Sequence, residues 1–317
     1  ETTDQTLSFV YEQSTDAGDL EVTLAYAQTD VAQTNATDPF NFGGILFDDT
    51  DYGYSTLSLD ARVTNDGLTL GNAAMALTYG STISYQDRTA RTAAGDFVGF
   101  HPEGTYTRVA AFAEAEIDFG NGFTLIPGLR VEYTVSEPGP DDPSTASDSR
   151  NPIEEFTVSP KLAFTYDVND QIGLFGSLAI TQRAPNLDEL FSYRNAQGAP
   201  VIPAVGLDPE TAYSAEFGFT YSTSGLLNPD DVFDARVTAY FSRVEDIIVT
   251  DGAITTPQHA NSDTVEIYGL EVEAAYVSEL FYGNVAIALS EGQNLTQDEV
   301  WDELPQDSFS LTLGHRN

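Results

Sequence analysis

The sequence predicts an all-β fold, an antiparallel transmembrane β-barrel, from three observations. Apolar and polar residues alternate along many segments, which is the period that gives a strand one apolar face. Short turns alternate with long polar loops, as expected when short turns lie on one side of a membrane and long loops on the other. Aromatic residues stand where the apolar stripes meet the short turns, as in an interfacial girdle. These aromatic residues are Phe119, Phe123, Tyr166, Tyr221, Tyr276, Phe281 and Tyr282.

The clearest strand pair spans residues 158–180. Val158 and Leu162 belong to one alternating run, and the residues 167–170, Asp-Val-Asn-Asp, follow it as a turn. Ile172 and Leu178 belong to a second alternating run. Two such runs joined by a short polar turn predict a β-hairpin.

The remaining predicted strands show the same alternation of apolar and polar residues, beginning with a run at Leu7, Phe9 and Tyr11. Short turns are predicted near 15–19, 65–68, 120–122, 167–170, 223–231 and 278–283. Long loops are predicted at 30–54, 89–105, 138–153, 184–210, 251–263 and 291–306. The short turns should all lie at one end of the barrel and the long loops at the other.

The alternation also assigns each side chain to a face. The apolar positions predicted to face lipid include Leu125, Leu129, Phe217, Phe219, Leu311 and Leu313. The charged positions predicted to face the lumen are Glu114, Glu116, Arg130, Glu132, Lys161, Arg236, Glu271 and Glu273.

The periodicity gives about 13 strands. Single-chain bacterial barrels have an even number of strands, and every backbone group that faces lipid must be paired. We therefore expect residues 1–317 to be one partial β-barrel domain that does not close by itself. No signal peptide is visible at Glu1, so the sequence is expected to be a mature chain or part of a longer one.

Composition excludes several classes of protein. No apolar run approaches the roughly 20 residues of a membrane-spanning helix. The formal net charge of −38, with 50 acidic and 12 basic residues, argues against nucleic acid as a partner, because such binding needs basic contacts. The chain has no cysteine and three histidines, and no spacing of a nucleophile and a base is recognisable. We therefore predict no enzyme, no catalytic residues, no metal-ligand set and no intrinsic cofactor. Calcium binding by the acidic run 48–51 stays open as an alternative.

Several spaced motifs resemble the barrel of TonB-dependent outer-membrane receptors, especially the haem and haemoglobin receptor branch. They are TQRAPNLDELF at 181–191, LDPETAYSAEFGF at 207–219, and the later runs YFSRVEDIIV, VEIYGLEVEAAY and LPQDSFSLTLGHRN. The residues that match the family motif are Arg183, Ala184, Pro185, Asn186, Leu187, Leu207, Pro209 and Glu210.

The resemblance implies a barrel of roughly 22 strands whose lumen holds a plug domain, and this chain resembles the middle part, with no plug. It implies a bacterial outer-membrane location, with outer-membrane lipid, an extracellular iron or haem ligand, and the periplasmic TonB energy-coupling protein, reached through the plug, as partners. It further implies active uptake of an iron-containing ligand, with haem or a haem protein as the first choice. A siderophore or another metal complex is the alternative within this class. A passive porin or a structural, adhesive surface barrel is the alternative of another class.

Three residues are candidate ligands of a transported haem, because histidine and tyrosine can both hold haem iron. In the haem branch a histidine commonly lies in the loop after the Arg-Ala-Pro motif. This chain has no histidine there and offers Tyr193 instead. His101 and His259 fall in other loops predicted to be extracellular. His315 is in phase with Leu311 and Leu313, so it is expected in the interfacial girdle and not in the site.

Overall fold

A computed structural model gives the structure of the protein. It describes residues 1–34, 49–98, 101–139, 151–192, 194–196, 199–201, 203–250, 259–301 and 304–316. The first strands are β1 (Thr2–Thr15), β2 (Gly18–Gln33), β3 (Thr50–Leu70), β4 (Ala73–Thr92), β5 (Gly104–Asp118), β6 (Phe123–Pro138), β7 (Ile153–Asp167) and β8 (Ile172–Arg183). The helix α1 (Leu187–Phe191) follows. The later strands are β9 (Arg194–Ala196), β10 (Ala199–Val201), β11 (Glu210–Ser224), β12 (Val232–Thr250), β13 (His259–Val277), β14 (Phe281–Asn294), β15 (Glu299–Val300) and β16 (Ser308–His315).

One antiparallel sheet contains 14 of these strands, so the all-β prediction is confirmed. The strands from β1 to β8 pair in chain order, β11 pairs with β8, and β11 to β14 continue the series. β16 and the two-residue β15 both pair with β14, while β9 and β10 form a separate hairpin. Among the described strands, none pairs with the second edge of β1 or of β16, so the sheet is open. No helix in this part of the chain is long and apolar enough to cross a bilayer.

The connections alternate between two ends of the sheet because neighbouring strands are antiparallel. We call the end with the long connections the loop end and the opposite end the turn end. The turn end carries connections at 16–17, 71–72, 119–122, 168–171, 225–231 and 278–280. The loop end carries connections at 34–49, 93–103, 139–152, 184–209, 251–258 and 295–307.

One predicted turn, at residues 65–68, is wrong. These residues continue β3 through a register irregularity between Asn65 and Leu68, and the chain reverses at 71–72. The Asn65 side chain accepts a hydrogen bond from the Gly67 N–H and donates one to the Ala17 carbonyl, so the Asn-Asp-Gly sequence forms a local bend inside the strand. Gly71 makes the reversal with a φ of 63°, a backbone conformation that glycine adopts without strain.

The strand register confirms the predicted faces. Lys161 and Glu114 form an ion pair, and both lie opposite Gly128 in the pairings of β5, β6 and β7. Arg236 lies opposite Glu273 across β12 and β13. Phe217 and Leu313, on the other face, are 55% and 76% exposed. The two faces are therefore one charged and one apolar, and we call the charged face the lumen face.

Two buried apolar clusters lie on the lumen face near the loop end. One cluster consists of Leu187, Leu190, Phe191, Ala204 and Leu207. The second cluster consists of Tyr52, Ala90 and Val98. These clusters hold Val98 and the described residues 187–191 and 204–207 against the wall, and the polar side chains between them form the candidate site described next.

Candidate functional site

The helix α1 lies on the lumen face because its N-terminal sequence favours a helix and its apolar side is buried. Asn186 caps the helix by accepting a hydrogen bond from the Glu189 N–H at 3.0 Å, and the Glu189 carboxylate accepts one from the Asn186 N–H at 2.8 Å. This reciprocal capping box satisfies two backbone donors at the helix start. Leu187, Leu190 and Phe191 are each at most 2% exposed.

Arg183 ties the helix cap to two other elements. Its guanidinium donates two hydrogen bonds of 2.9 Å to Glu189 and one of 2.7 Å to Glu210. Glu210 in turn accepts a hydrogen bond from the Ile248 N–H at 2.8 Å in β12. The Asn261 amide continues the network by binding the backbone of Asp208 and the carbonyl of Asp246, a residue with a φ of 58°.

These contacts explain most of the residues that match the family motif. Arg183, Asn186 and Glu210 hold α1 and β12 together by hydrogen bonds, as above. Ala184, Pro185, Leu187 and Leu207 are buried. Pro209 is partly exposed and no contact in the structure explains it. Most of the motif residues therefore hold α1 and its neighbouring strands in place.

A charged cluster joins Asp188 of α1 to Arg88 of β4 and to His101. Arg88 of β4 is 7% exposed and forms a two-bond pair with the Asp188 carboxylate, at 2.6 and 2.9 Å. The His101 Nδ1 lies 2.7 Å from Arg88 Nη2 and 3.5 Å from Asp188 Oδ1. The His101 ring meets the Tyr52 ring edge to face at 4.9 Å, and Arg88 stacks over Tyr54 at 5.1 Å.

The charges in this cluster fix the ionisation of Asp188. Burial raises the pKa of the Asp188 carboxyl, but hydrogen bonds from His101 and Arg88 and their charges outweigh burial and lower the pKa overall. The His101 Nδ1 lies near both charged partners, so it can accept a hydrogen bond from Arg88 or donate one to Asp188, according to the tautomer of the ring.

Segment 93–103 is anchored separately beside this cluster. Arg91 forms a two-bond pair with Glu103, with both distances 2.7 Å, and lies 3.6 Å above the Phe97 ring. Glu103 also accepts a hydrogen bond from the Ala90 N–H at 3.1 Å. Phe97 and Glu103, which flank His101 in the sequence, are therefore both held to β4.

His259 lies within the electrostatic range of Asp188 and Glu189 in α1. It begins β13, whose 19 residues exceed the 9–11 that cross a membrane, so it stands beyond the spanning part at the loop end. Burial lowers the pKa of His259, opposed by the charges of Glu189 and Asp188. The charge of Asp188 thus acts on both histidines.

A sequence profile of the TonB-dependent receptor-like β-barrel matches residues 1–316. The chain belongs to this family. The family consists of outer-membrane receptors rather than enzymes.

Known relatives extend well beyond this chain. A hemin receptor of Yersinia pestis is 25% identical over 289 residues, which are 81% of this chain and 41% of the relative. The Serratia marcescens hemophore receptor HasR, solved in complex with its hemophore HasA and heme, aligns with a TM-score of 0.79 and 18% identity over all of this chain and 56% of its own. A Pseudomonas aeruginosa ferric enterobactin receptor solved with enterobactin aligns with a TM-score of 0.73 and 19% identity, over 98% and 47% of the two chains. This receptor chain thus spans less than half of the curated hemin receptor, and the structural likenesses establish its barrel fold.

The remaining candidate residues fall elsewhere. Tyr193 lies outside the described residues, as does Asp48 of the acidic run at 48–51. His315 packs edge to face on Phe281 at 5.2 Å at the turn end, as expected for a girdle residue. The described parts of the receptor contain no group of three or more acidic or histidine side chains placed to hold a metal ion.

Sequence reasoning missed Arg88, Asp188 and Tyr52 as members of the site. Arg88 and Asp188 are 100 residues apart in the chain, and no local pattern signals their pairing. The helix α1 did have a local signal, because Asn186 and Glu189 have the spacing of a capping box.

Proposed function

We propose that this chain is the ligand-recognising barrel part of a TonB-dependent receptor that takes up haem or a haem protein across the outer membrane. The single observation that carries the choice of haem is the position of His101, whose Nδ1 lies 3.5 Å from the Asp188 carboxylate of α1 at the loop end. The likeness to a hemin receptor over 81% of the chain supports the same ligand. Haem is the cargo in this proposal, and the protein needs no resident cofactor.

His101 is the residue best prepared to hold haem iron. Coordination through Nε2 requires the proton to reside on Nδ1, and a carboxylate next to that nitrogen stabilises this form and strengthens the ligand. Asp188 lies 3.5 Å from Nδ1. On iron binding, Nδ1 would exchange its contact with Arg88 for a hydrogen bond donated to Asp188. Because Arg88 keeps the carboxylate ionised, the cluster is ready to accept that hydrogen bond.

His259 and Tyr193 are the other candidate iron ligands. His259 is half-buried and its lowered pKa keeps the imidazole neutral at neutral pH, which is the form that binds metal. Tyr193 follows α1 in the sequence by two residues, and a tyrosine oxygen is an established haem ligand. Haem held between two extracellular loops fits a receptor that captures its ligand before transport.

Transport itself is proposed to need parts outside residues 1–317. Thirteen strands of eight or more residues occur in the described ranges, and the sheet has two unpaired edges that a longer barrel would pair. A plug domain in the lumen, with a coupling segment that the periplasmic TonB protein engages, would make uptake active. We place these parts in the rest of the receptor.

Growth on defined iron sources tests this function. Cells that lack other haem receptors and express the complete receptor should grow with haem as the sole iron source, and this growth should disappear when TonB is deleted. A ferric siderophore, ferric enterobactin, serves as the rival ligand because an enterobactin receptor shares the fold. Growth on the siderophore and not on haem would replace haem with the siderophore class. TonB-independent growth would point to a passive barrel.

A further inference from the structure

Arg108 differs from the other basic residues whose side chains the structure describes. Seven of those ten lysines and arginines form an ion pair with a carboxylate within 4.0 Å. Two more, Arg236 and Arg316, stack on the rings of Phe175 and Tyr282. Within the described residues, Arg108 has neither an ion pair nor a ring partner, and its side chain is exposed.

Its position directs this unpaired charge into the lumen. Arg108 lies opposite Ser84 of β4 and Thr134 of β6, on the same face of β5 as Glu114. Ser84 precedes Arg88 by four residues on β4, so Arg108 stands about 13 Å along the wall from Arg88, toward the turn end. Arg108 is therefore below the layer formed by α1 and segment 93–103.

One tyrosine hydroxyl lies near Arg108. Tyr106 hydrogen-bonds to the buried Thr134 and lies in the electric field of Arg108, Glu132 and Arg183. The same Tyr106 ring packs against the apolar cluster beneath α1. The wall thus offers an exposed cation and a partly exposed tyrosine below the helix.

We propose that Arg108 binds a carboxylate of the transported ligand after it passes α1. In a chain with a formal net charge of −38, a basic side chain readily finds an acidic partner, so the absence of one at an exposed lumen position favours a partner that arrives from outside. A guanidinium binds a carboxylate through two parallel hydrogen bonds. Haem carries propionate carboxylates, so this assignment rests on the proposed haem function and adds a specificity residue to it.

Haem and haem dimethyl ester distinguish this role from others, because the ester lacks the carboxylates and retains the iron and the ring. Both probes are titrated into the complete receptor and into Arg108→Gln and Arg108→Lys variants. We expect Arg108→Gln to weaken haem binding about tenfold, the effect of one lost charged contact, and to leave the ester unchanged. Arg108→Lys should retain part of the preference for the acid. The control is Arg62→Gln, because Arg62 faces the lumen near the turn end and is already paired with Glu21.

Equal losses for haem and its ester in Arg108→Gln would overturn the assignment and indicate that Arg108 binds another part of the receptor. An Arg108→Gln variant that binds both probes as tightly as the parent would also overturn the assignment. If the parent receptor binds no haem at all, the proposed haem function fails, and this assignment fails with it. Haem binding without a preference for the acid overturns the role of Arg108 alone.

Discussion

Replacing Asp188 with asparagine keeps the shape of the side chain and removes the charge that Arg88 faces. The wild-type pair has two charge-assisted hydrogen bonds, at 2.6 and 2.9 Å, and Arg88 is 7% exposed while the Asp188 side chain is 37% exposed. Hydrogen bonds to charged groups contribute about 1.5–3 kcal/mol each and neutral ones about 1 kcal/mol, before discounting for solvent. Because Asp188 is partly exposed, we expect Asp188→Asn to lower the free energy of opening of α1 by about 2 kcal/mol.

Amide hydrogen exchange measures this opening directly. The Leu190 N–H donates to the Asn186 carbonyl and the Ser192 N–H donates to the Asp188 carbonyl, so both amides report on the helix. A loss of about 2 kcal/mol corresponds to roughly 30-fold faster exchange at these amides. Arg91→Gln, which breaks the neighbouring Arg91–Glu103 pair, should leave them nearly unchanged. Unchanged exchange in Asp188→Asn would refute the view that Arg88 and Asp188 hold α1 to the wall.

Three further predictions concern the barrel itself. Phe217→Arg should cost about 2–4 kcal/mol of barrel stability, whereas Glu216→Arg on the lumen face should cost much less; equal costs in urea unfolding would contradict the face assignment. Asp231 accepts hydrogen bonds from the Leu226, Leu227 and Asn228 N–H groups and the Tyr276 hydroxyl; burial raises its pKa, but these bonds outweigh burial and lower it to about 2. The contribution of Asp231 to barrel stability should be complete above about pH 4, its unfolded pKa, and disappear as the pH falls through about 2. The Asp231→Asn variant should melt at a lower temperature at pH 7 and lose this acid dependence. A melting curve like that of the parent would count against the turn contacts. A protease site inserted at 93–98 should be cut on intact cells and one at 119–122 should not, and cleavage at the second site in sealed cells would invert the topology.

Patterns with a local cause could be read from the sequence. The faces of Lys161, Arg236 and Phe217 follow from alternation alone, because a one-residue shift would expose every charge of a strand to lipid. The turn predicted at Asn65 failed because the Asn-Asp-Gly sequence can bend a strand as well as reverse it, and the tertiary pairing with β4 continues past it. Local signals therefore located the strands and their faces but not every strand end.

The site depends on contacts between distant segments, which no single stretch encodes. The sequence identified His101 and His259 as candidates, and the structure brings both within the electrostatic range of Asp188 in α1. The sequence alone could not show that Arg88 and Asp188 form an ion pair, because the two residues come together only in the folded chain. The packing and hydrogen bonds of the motif residues hold α1 in place.

Absorbance titration of haem into the purified complete receptor tests the central claim most directly. We expect the Soret band to shift on haem binding. The band should change strongly in His101→Ala and in whichever of His259→Ala or Tyr193→Phe removes the second ligand. The His315→Ala variant should give a spectrum like that of the parent, because this ring lies at the turn end. An unchanged Soret shift in the His101, His259 and Tyr193 variants would remove all three from the site, and no shift in the parent would contradict haem as the ligand.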